Sequence, residues 1–335
     1  MASSESAATT AAWRGIWLRT ALFVLTLAAG WSVLEWVMLK APNSMSIKRE
    51  RLEAIANEVD TLILGSSETY YGLKPKSLSG VAYNLASNAQ SLYYDYALTA
   101  DFLPRLPRLR RTYVLVSYLS LYTELYDHPD SSRIYGYLQD FGIPLQRMTD
   151  YMDPRVFSRV LLHSPHTAME RLLKGLDAPR DKRIDDRGWY RVPDEDRWPL
   201  DMQAAAGRLA VHHGFMRSKY LAQNRATLER LIQLLQKHHV EVVLITTPVA
   251  PSYQAQMLPE MWQPARMACE EIAARYGIRY LNFQNEPRIQ ASDFEDSSHL
   301  NADGAEHLAQ LLEIDVGPVA AGISGERELA IAATN

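Results

Sequence analysis

Two consecutive hydroxyl side chains, Ser66 and Ser67, follow directly on a short apolar run in this 335-residue sequence. The run, residues 62–64, ends at Gly65, and a short apolar stretch that ends in glycine indicates a buried strand followed by a tight turn. In a parallel α/β sheet, ligands bind at the carboxyl ends of the strands. A serine at that place has a free backbone N–H and a hydroxyl that points into the crevice, which suits a nucleophile. Because Gly-Ser-Ser is more often only a turn or a helix cap, this interpretation needs a base elsewhere in the chain.

A carboxylate and an imidazole lie three residues apart near the other end of the chain, at Asp296 and His299. In a turn-like conformation, this spacing brings the carboxylate to the same side as the imidazole. A carboxylate bonded to one ring nitrogen fixes the tautomer, which leaves the other nitrogen to take a serine proton. A lone histidine after a strand is more often a surface or capping residue. Asp-x-x-His before a final helix, in a chain whose first strand ends in Gly-Ser-Ser, is a less common combination and favours serine chemistry.

The composition limits the class of protein. The chain is 47% hydrophobic with a formal net charge of −4, so it can form a large core, and the charge balance gives no reason to expect nucleic acid as a partner. The single cysteine, Cys269, cannot form an internal disulfide and is expected to be an inert, packed thiol.

The N-terminal part predicts a membrane anchor. Residues 1–12 are small and polar and are expected to be disordered, whereas residues 13–40 contain a charge-poor run of twenty residues with tryptophans at both ends. Twenty helical residues span roughly 30 Å, the thickness of a bilayer core. A cleaved signal peptide and a buried helix are the alternatives. Basic residues both precede and follow the run, so the positive-inside rule does not set its orientation.

The remaining chain predicts an α/β fold with about five parallel strands. Residues 41–57 form a membrane-proximal segment, and strands are expected near residues 62–64, 81–84, 112–117, 240–247 and 278–282, with helices between them. Residues 122–215 have weak periodicity and many aromatic side chains, and we interpret them as a long helical insertion, either a plain lid or a substrate site. In the latter case Trp189 and Tyr190 could stack on sugar rings. Residues 321–335 are expected to be a loose tail.

These motifs resemble the SGNH (GDSL-like) hydrolase superfamily, whose members carry a serine nucleophile after the first strand and Asp-x-x-His before the last helix. The resemblance covers roughly residues 58–315, apart from the insertion, and implies a three-layer, flavodoxin-like catalytic domain over residues 58–320. Gly65-Ser66-Ser67 is similar to the Gly-Asp-Ser of the family, which implies that Ser67 is the nucleophile. It also implies that His299 is the general base and that Asp296 orients it. No metal or organic cofactor is implied.

The oxyanion-hole blocks of the superfamily match less well. The second block is similar to residues 84–89, with Asn88 or Ala89 where glycine is expected. The third block, Gly-x-Asn-Asp, is absent, and Ser117 lies after the third strand instead. Losing one oxyanion donor costs on the order of 3 kcal/mol in other enzymes. Candidate oxyanion or substrate contacts are therefore Ser66, Asn88, Ala89 and Ser117.

Gly-Ser-Ser-Glu, the anchor and the degenerate third block together resemble the membrane-anchored SGNH-like proteins of cell-envelope acylation, such as the DltD and alginate O-acetylation types. This resemblance implies an acyltransferase or esterase that acts on O-acyl groups of an envelope polysaccharide. Its expected location is the inner membrane, as a single-pass protein whose catalytic domain faces the periplasm or the outside, with a multi-span membrane acyltransferase as partner. The alternative is a non-catalytic assembly or glycan-binding component that keeps the fold.

Overall fold

The computed structural model describes residues 2–176, 183–193 and 197–319. The chain divides into two compact units, one formed by Met1–Asn43 with Leu145–Pro179 and the other by Ser44–Pro144 with Arg180–Asn335. The α-helices in chain order are α1 (Ala2–Lys40), α2 (Ser44–Ile55), α3 (Ser67–Gly72), α4 (Leu92–Phe102), α5 (Tyr118–Tyr122), α6 (Arg133–Phe141), α7 (Arg159–His163), α8 (Pro165–Lys174), α9 (Met202–Phe215), α10 (Tyr220–Lys237), α11 (Pro251–Gln254), α12 (Pro259–Tyr276) and α13 (Ala302–Val316). Short 3₁₀ turns occur at Pro75–Ser77, Leu103–Arg105, Leu125–Asp127, Met148–Met152, Pro154–Val156 and Ala291–Asp293.

The first unit contains α1, α7 and α8. Within α1, Trp13–Lys40 is long and apolar enough to cross a membrane, although an N-terminal signal sequence would meet the same criteria. Only 11% of its most apolar window is buried, so it is not a core helix of the described chain. The helix begins at Ala2 and therefore includes residues for which the sequence predicts disorder. The tail predicted at residues 321–335 lies outside the described residues.

The second unit is built on a parallel sheet of five strands: β1 (Thr61–Leu64), β2 (Ala82–Asn84), β3 (Arg111–Leu115), β4 (Glu241–Thr246) and β5 (Arg279–Asn282). Their order across the sheet is β2-β1-β3-β4-β5. β1 and β3 are buried throughout, as their continuous apolar and β-branched sequences require for strands covered on both faces. The predicted α/β class with five parallel strands is confirmed.

The predicted insertion is helical, but it is divided between the units. Its middle part lies in the unit with α1 and contains α7 and α8, whereas α6 and α9 belong to the unit with the sheet. The segment α2, predicted to be membrane-proximal, also belongs to the sheet unit. The predicted insertion therefore contributes helices to both units.

The strand order places a crevice beside Gly65. The chain goes from β1 to β2 on one side and then to β3 on the other, so the direction reverses between β1 and β3. In the flavodoxin-like order, ligands bind outside the carboxyl ends of the strands at this switch point. The Gly65-Ser66-Ser67 turn lies there, directly after β1.

A second, small sheet holds the other motif. β6 (Phe294–Asp296) and β7 (His299–Leu300) form an antiparallel hairpin with a two-residue loop, and Asp296 is the cross-strand partner of His299. The spacing of three residues thus brings carboxylate and imidazole together across a hairpin.

Gly65 is required by both conformation and space. Its φ is +129°, and a Cβ atom there would lie 2.4 Å from Leu115 Cβ in β3 and 2.7 Å from Thr69 Oγ1. Only glycine occupies this backbone region without strain, and the crowding includes a β-carbon fixed by the sheet. The strand can therefore turn into α3 only without a side chain at residue 65.

We expect Gly65→Ala to lower the free energy of unfolding by about 3 kcal/mol, because conformational strain and overpacking add. Gly277→Ala is the control, since Gly277 also has a positive φ, +63°, but a Cβ there meets nothing within 4 Å. The control should lose only about 1 kcal/mol. Urea unfolding of the full-length proteins in detergent measures both, and equal losses would contradict the close approach to Leu115.

Candidate active site

Ser67 is the first residue of α3. Ser66 precedes it in an extended conformation as the N-cap, so the chain changes from strand to helix within two residues. The Ser67 N–H is one of the first N–H groups of a helix, which no carbonyl of the preceding turn can accept. Its direction is set by the turn, which is held where the Gly65 N–H donates to Asp95 Oδ1 at 2.9 Å.

His299 bridges Ser67 and Asp296. His299 Nε2 lies 2.8 Å from Ser67 Oγ, and His299 Nδ1 lies 3.0 Å from Asp296 Oδ2. The structure therefore brings together the three residues predicted to form the triad, although they lie more than 200 positions apart in the chain. In this arrangement the imidazole can take the serine proton on Nε2 while the carboxylate holds Nδ1–H.

Asp296 is buried and surrounded by donors. The Ser298 N–H and hydroxyl donate to Oδ1 at 2.7 and 2.9 Å, and the His299 N–H donates at 3.0 Å. Burial by itself raises the pKa of Asp296, but the charge and hydrogen bond of His299, with Arg208 and the Ser298 N–H, outweigh it and hold the pKa below its ordinary value. The carboxylate is therefore charged at neutral pH and can hold the imidazole.

Arg208 is a site residue that the sequence reasoning missed. It lies in α9, within the predicted insertion, and its guanidinium Nη2 donates to Asp296 Oδ2, the same oxygen that faces His299 Nδ1. Its side chain is 32% exposed, whereas that of Asp296 is 9% exposed. Arg208 thus shares the Asp296 charge with His299 and is accessible from solvent.

Glu68 is a second buried carboxylate beside the site. It directly follows Ser67, is 5% exposed, and its Oε2 accepts hydrogen bonds from the hydroxyls of Ser66 and Ser117, both at 3.1 Å. Burial, the largest effect, raises the pKa of Glu68. Two of the candidate oxyanion residues therefore direct their hydroxyl hydrogens at Glu68.

The other two candidate oxyanion residues, Asn88 and Ala89, lie in the loop after β2. Ala89 has a left-handed φ of 56°, and the half-buried Asn88 has an Oδ1 atom without a hydrogen-bond partner among the described residues. The Asn88 amide faces the phenol of Tyr71, whose pKa is raised to about 12 mainly by burial. The Tyr71 ring lies edge-on to the His299 ring at 5.3 Å between centroids, so Asn88 is near the site.

Asn84, at the end of β2, has a structural role instead. Its Nδ2 donates to the carbonyls of Thr69 and Leu73 at 2.8 and 3.0 Å, and its Oδ1 accepts from the Ala86 N–H at 3.0 Å. The buried Lys48 of α2 donates to the carbonyls of Asn84 and Ala86. The loop that carries Asn88 is therefore held by hydrogen bonds with the side chains of both Asn84 and Lys48.

A hydrogen-bonded series of polar side chains begins in α9, the helix that carries Arg208. His212, in α9, is 2.5 Å from the Tyr253 hydroxyl through Nδ1, and that hydroxyl bonds the hydroxyl of Tyr118. Burial chiefly, and then the charges of His299 and Arg208, lower the pKa of His212 to about 3. His212 is therefore neutral, and one histidine of the site, His299, remains for proton transfer.

A cleft of about 640 Å³ adjoins Asp296 on the side of α9. Trp198 and Pro199 form one wall, Val211 and Arg208 line the helix side, and Asp296 lies at its border. Trp198 is 65% exposed, whereas Trp189, one of the residues expected to stack on sugars, is buried and donates from Nε1 to the Tyr71 carbonyl at 2.6 Å. The expectation for Trp189 is wrong, because its ring is packed inside the unit.

In the part of the chain that the structure describes, no group of three or more His, Cys, Asp or Glu side chains is placed to hold a metal ion.

No family model and no curated protein matches the sequence. Two solved structures are similar in fold. One is a proposed acylhydrolase from Bacteroides fragilis, with 10% identity, a TM-score of 0.39, and coverage of 79% of this chain and 92% of that chain. The other is described as a proposed platelet activating factor from Streptococcus pneumoniae, with 14% identity, a TM-score of 0.40, and coverage of 88% and 99%. These values are too low to support an inference about activity.

Asp95, which holds the Gly65 N–H, gives a prediction of pH dependence. Burial raises the pKa of Asp95 to about 7 from 3.8. Between these values the unfolded chain has lost the proton and the folded chain keeps it, so this group lowers stability as the pH rises, by about 1.4 kcal/mol per unit. Asp95→Asn removes the titration and keeps an oxygen acceptor.

We expect the free energy of unfolding of Asp95→Asn, relative to the wild type, to rise steadily between about pH 4 and pH 7 and to stay constant above it. Urea unfolding of both full-length proteins in detergent at several pH values measures this difference. A difference that does not vary with pH would show that Asp95 titrates normally in the folded protein.

Proposed function

We propose that the chain is a membrane-anchored, SGNH-like serine acyltransferase or esterase that acts on O-acyl groups of a cell-envelope or exported polysaccharide. The observation that carries this proposal is the hydrogen-bonded series Ser67 Oγ, His299 Nε2, His299 Nδ1 and Asp296, at 2.8 and 3.0 Å. It lies at the carboxyl end of β1, at the switch point of the sheet. Ser67 is then the nucleophile, His299 the general base and Asp296 the orienting acid.

In the first half-reaction, Ser67 Oγ attacks the carbonyl carbon of the acyl ester and its proton passes to His299 Nε2. The tetrahedral intermediate collapses when the ester C–O bond breaks, and His299 returns the proton to the leaving sugar oxygen. The acyl group is then an ester on Ser67. Asp296 stabilises the imidazolium that exists between the two proton transfers.

In the second half-reaction, His299 takes a proton from a water or from an acceptor hydroxyl, whose oxygen attacks the acyl carbon. Ser67 leaves and recovers its proton, so the enzyme is unchanged. Water as the acceptor gives hydrolysis, and a sugar hydroxyl gives transfer. The two activities use the same groups and differ only in what the site admits.

The oxyanion of each intermediate needs donors. The Ser67 N–H is available by its position in the first turn of α3, and the Asn88 amide is the side chain that we assign as its partner. Ser66 and Ser117 are weaker candidates, because both donate to Glu68. Ala89 can offer only a backbone N–H.

The cleft beside Asp296 supports a polymeric substrate. Trp198 presents an exposed ring at the wall, and Arg208 presents donors at the inner end. A flat apolar face and a guanidinium together suit a sugar ring with hydroxyl or acidic substituents. No contact in the site indicates nucleic acid.

The proposed location is the inner membrane, with Trp13–Lys40 as a single span and the catalytic unit on the periplasmic or outer side. A protein placed there is suited to receive acyl groups from a multi-span membrane acyltransferase. The resemblance of Gly-Ser-Ser-Glu to the DltD and alginate O-acetylation types supports this partner and this location.

The alternative is a non-catalytic assembly or glycan-binding component. It is favoured by the absence of the third oxyanion block and by the use of the Ser117 hydroxyl in binding Glu68. The formation of an acyl-enzyme separates the two functions.

We expect an activated acetyl ester to label Ser67, as seen by intact-protein mass spectrometry and peptide mapping. Ser67→Ala and His299→Ala should each abolish the adduct, and Asp296→Asn should leave a small part of it. A double variant that combines Ser67→Ala and His299→Ala should form hardly less adduct than either single variant, because the three groups act as a unit. Ser66→Ala is the matched control and should label nearly as well as the wild type.

An adduct on Ser66, or one that persists in Ser67→Ala, would show that the wrong hydroxyl has been assigned. The absence of any adduct in the wild type, under conditions that label a known serine esterase, would favour the non-catalytic alternative.

The cleft yields a separate prediction. Trp198→Ala should raise KM for a chemically O-acetylated glucan by about tenfold, the loss expected for one stacking contact, and should leave hydrolysis of p-nitrophenyl acetate unchanged. Met267→Ala, which truncates another exposed apolar side chain in α12, is the control. An equal loss on both substrates would mean that Trp198 only supports the structure.

A further inference from the structure

The segment between Met148 and Leu176 exposes an unusual amount of apolar side chain. Eight of the exposed large hydrophobic residues lie in it: Met148, Met152, Phe157, Leu161, Met169, Leu172, Leu173 and Leu176. In the much longer described ranges 44–144, 183–193 and 197–319 there are six: Trp198, Met202, Val211, Leu258, Met267 and Ile314. A concentration of this kind marks an interaction surface.

The helix α8 has two apolar faces. Ala168 is fully buried and packs with Val160 of α7 against Met38 and Leu34 of α1. Met169, Leu172 and Leu173 follow the helical i, i+3, i+4 spacing on a different face, and Leu176 lies just after the helix, which ends at Lys174. Their exposures are 44%, 43%, 76% and 38%, so no described residue covers this stripe.

The position of α7 and α8 along α1 indicates what the stripe meets. Residues 13–33 of α1 are exposed all around, and 21 helical residues extend about 31 Å, the thickness of a bilayer core. The packing of α7 and α8 begins at Leu34, directly after this free stretch. Trp31 and Trp36 flank the junction, as tryptophans do at the membrane interface.

The junction is held by a half-buried carboxylate. Glu35 of α1 accepts hydrogen bonds from the Ser158 hydroxyl, from the Arg159 N–H at 3.0 Å and from the Val160 N–H at 3.4 Å, and so caps the start of α7. A carboxylate at a helix N-terminus is favourable, and here the N–H groups of α7 stabilise the one acidic side chain of Trp13–Lys40. These hydrogen bonds therefore fix the position of α7 and α8 along the axis of α1.

The charges around the stripe fit a lipid surface. Between residues 147 and 174 the described chain has five basic side chains, Arg147, Arg155, Arg159, Arg171 and Lys174, against three acidic ones, Asp150, Asp153 and Glu170. Each acidic side chain pairs with a basic one, so the excess is two positive charges. Basic residues beside an apolar stripe are attracted to anionic headgroups.

We propose that residues 148–176 form an interfacial membrane-binding surface, in which the stripe of α8 enters the boundary between headgroups and acyl chains beside the spanning helix. Lipid is favoured as the occupant because α8 packs on α1 directly after the part of α1 whose length matches the bilayer. The inference rests on the proposed span, and the experiment below tests the two separately.

The experiment places one nitroxide label at a time on the full chain reconstituted in vesicles that contain anionic lipid. Leu173→Cys is the test position and Lys174→Cys is its matched control, since the two are 76% and 75% exposed and point about 100° apart. Leu25→Cys reports on the span. Cys269 needs no replacement, because it is 1% exposed and burial raises its pKa to about 12.

Collision with oxygen, which concentrates in lipid, is compared with collision with a water-soluble nickel chelate. We expect the labels at Leu173 and Leu25 to be several-fold less accessible to nickel than the label at Lys174, and more accessible to oxygen. Leu172→Cys gives a second reading of the same face and should agree with Leu173→Cys.

If the labels at Leu173 and Lys174 are equally accessible to nickel while the label at Leu25 is protected, the proposed interfacial surface is wrong and the span stands. Protection of Leu173 from both reagents would mean that protein, such as a second copy of the chain, covers the stripe, and would also overturn the proposal. A nickel-accessible Leu25 would reject the span and the surface together.

Discussion

The site depends on the need of one buried charge, Asp296, for hydrogen-bond donors. A carboxylate removed from water is stable only when several donors surround it. The hairpin loop supplies Ser298, the facing strand supplies His299, and α9 supplies Arg208. The same set of bonds therefore closes the hairpin, orients the imidazole toward Ser67 and ties the end of the insertion to the site, so that local folding and site geometry have one cause.

The parts that could be predicted from the sequence are those fixed by local pattern. Largely apolar runs with β-branched residues marked β1, β3 and β4, since strands covered on both faces leave little choice of side chain. Gly65 marked the turn because no other residue fits its conformation beside Leu115. Asp296 and His299 could be paired because the bond between them closes within a hairpin and needs no knowledge of distant chain.

The parts that could not be predicted depend on contacts between distant segments with no periodic pattern. Arg208 is one of many arginines in the sequence, and only its contact with Asp296 in the folded chain selects it. Trp189 and Trp198 have similar sequence surroundings. The Trp189 indole nevertheless donates to the Tyr71 carbonyl, whereas Trp198 borders the cleft. The unit boundary within residues 122–215 has the same origin, because Val160 and Ala168 pack on α1.

Two carboxylates flank the proposed nucleophile, and their surroundings separate their pKa values. Asp296 has charged and backbone donors, which lower its pKa, whereas Glu68 accepts from the hydroxyls of Ser66 and Ser117 and burial raises its pKa. Asp296 therefore keeps the negative charge that an imidazolium needs, and Glu68 favours the neutral form more than an exposed glutamate does. A neutral Glu68 has a hydrogen to donate, and then one of the Ser66 and Ser117 hydroxyls can accept from it and direct its own hydrogen elsewhere. The protonation of Glu68 thus decides whether the Ser117 hydroxyl has a hydrogen to offer at the edge of the crevice, where the third oxyanion block is missing.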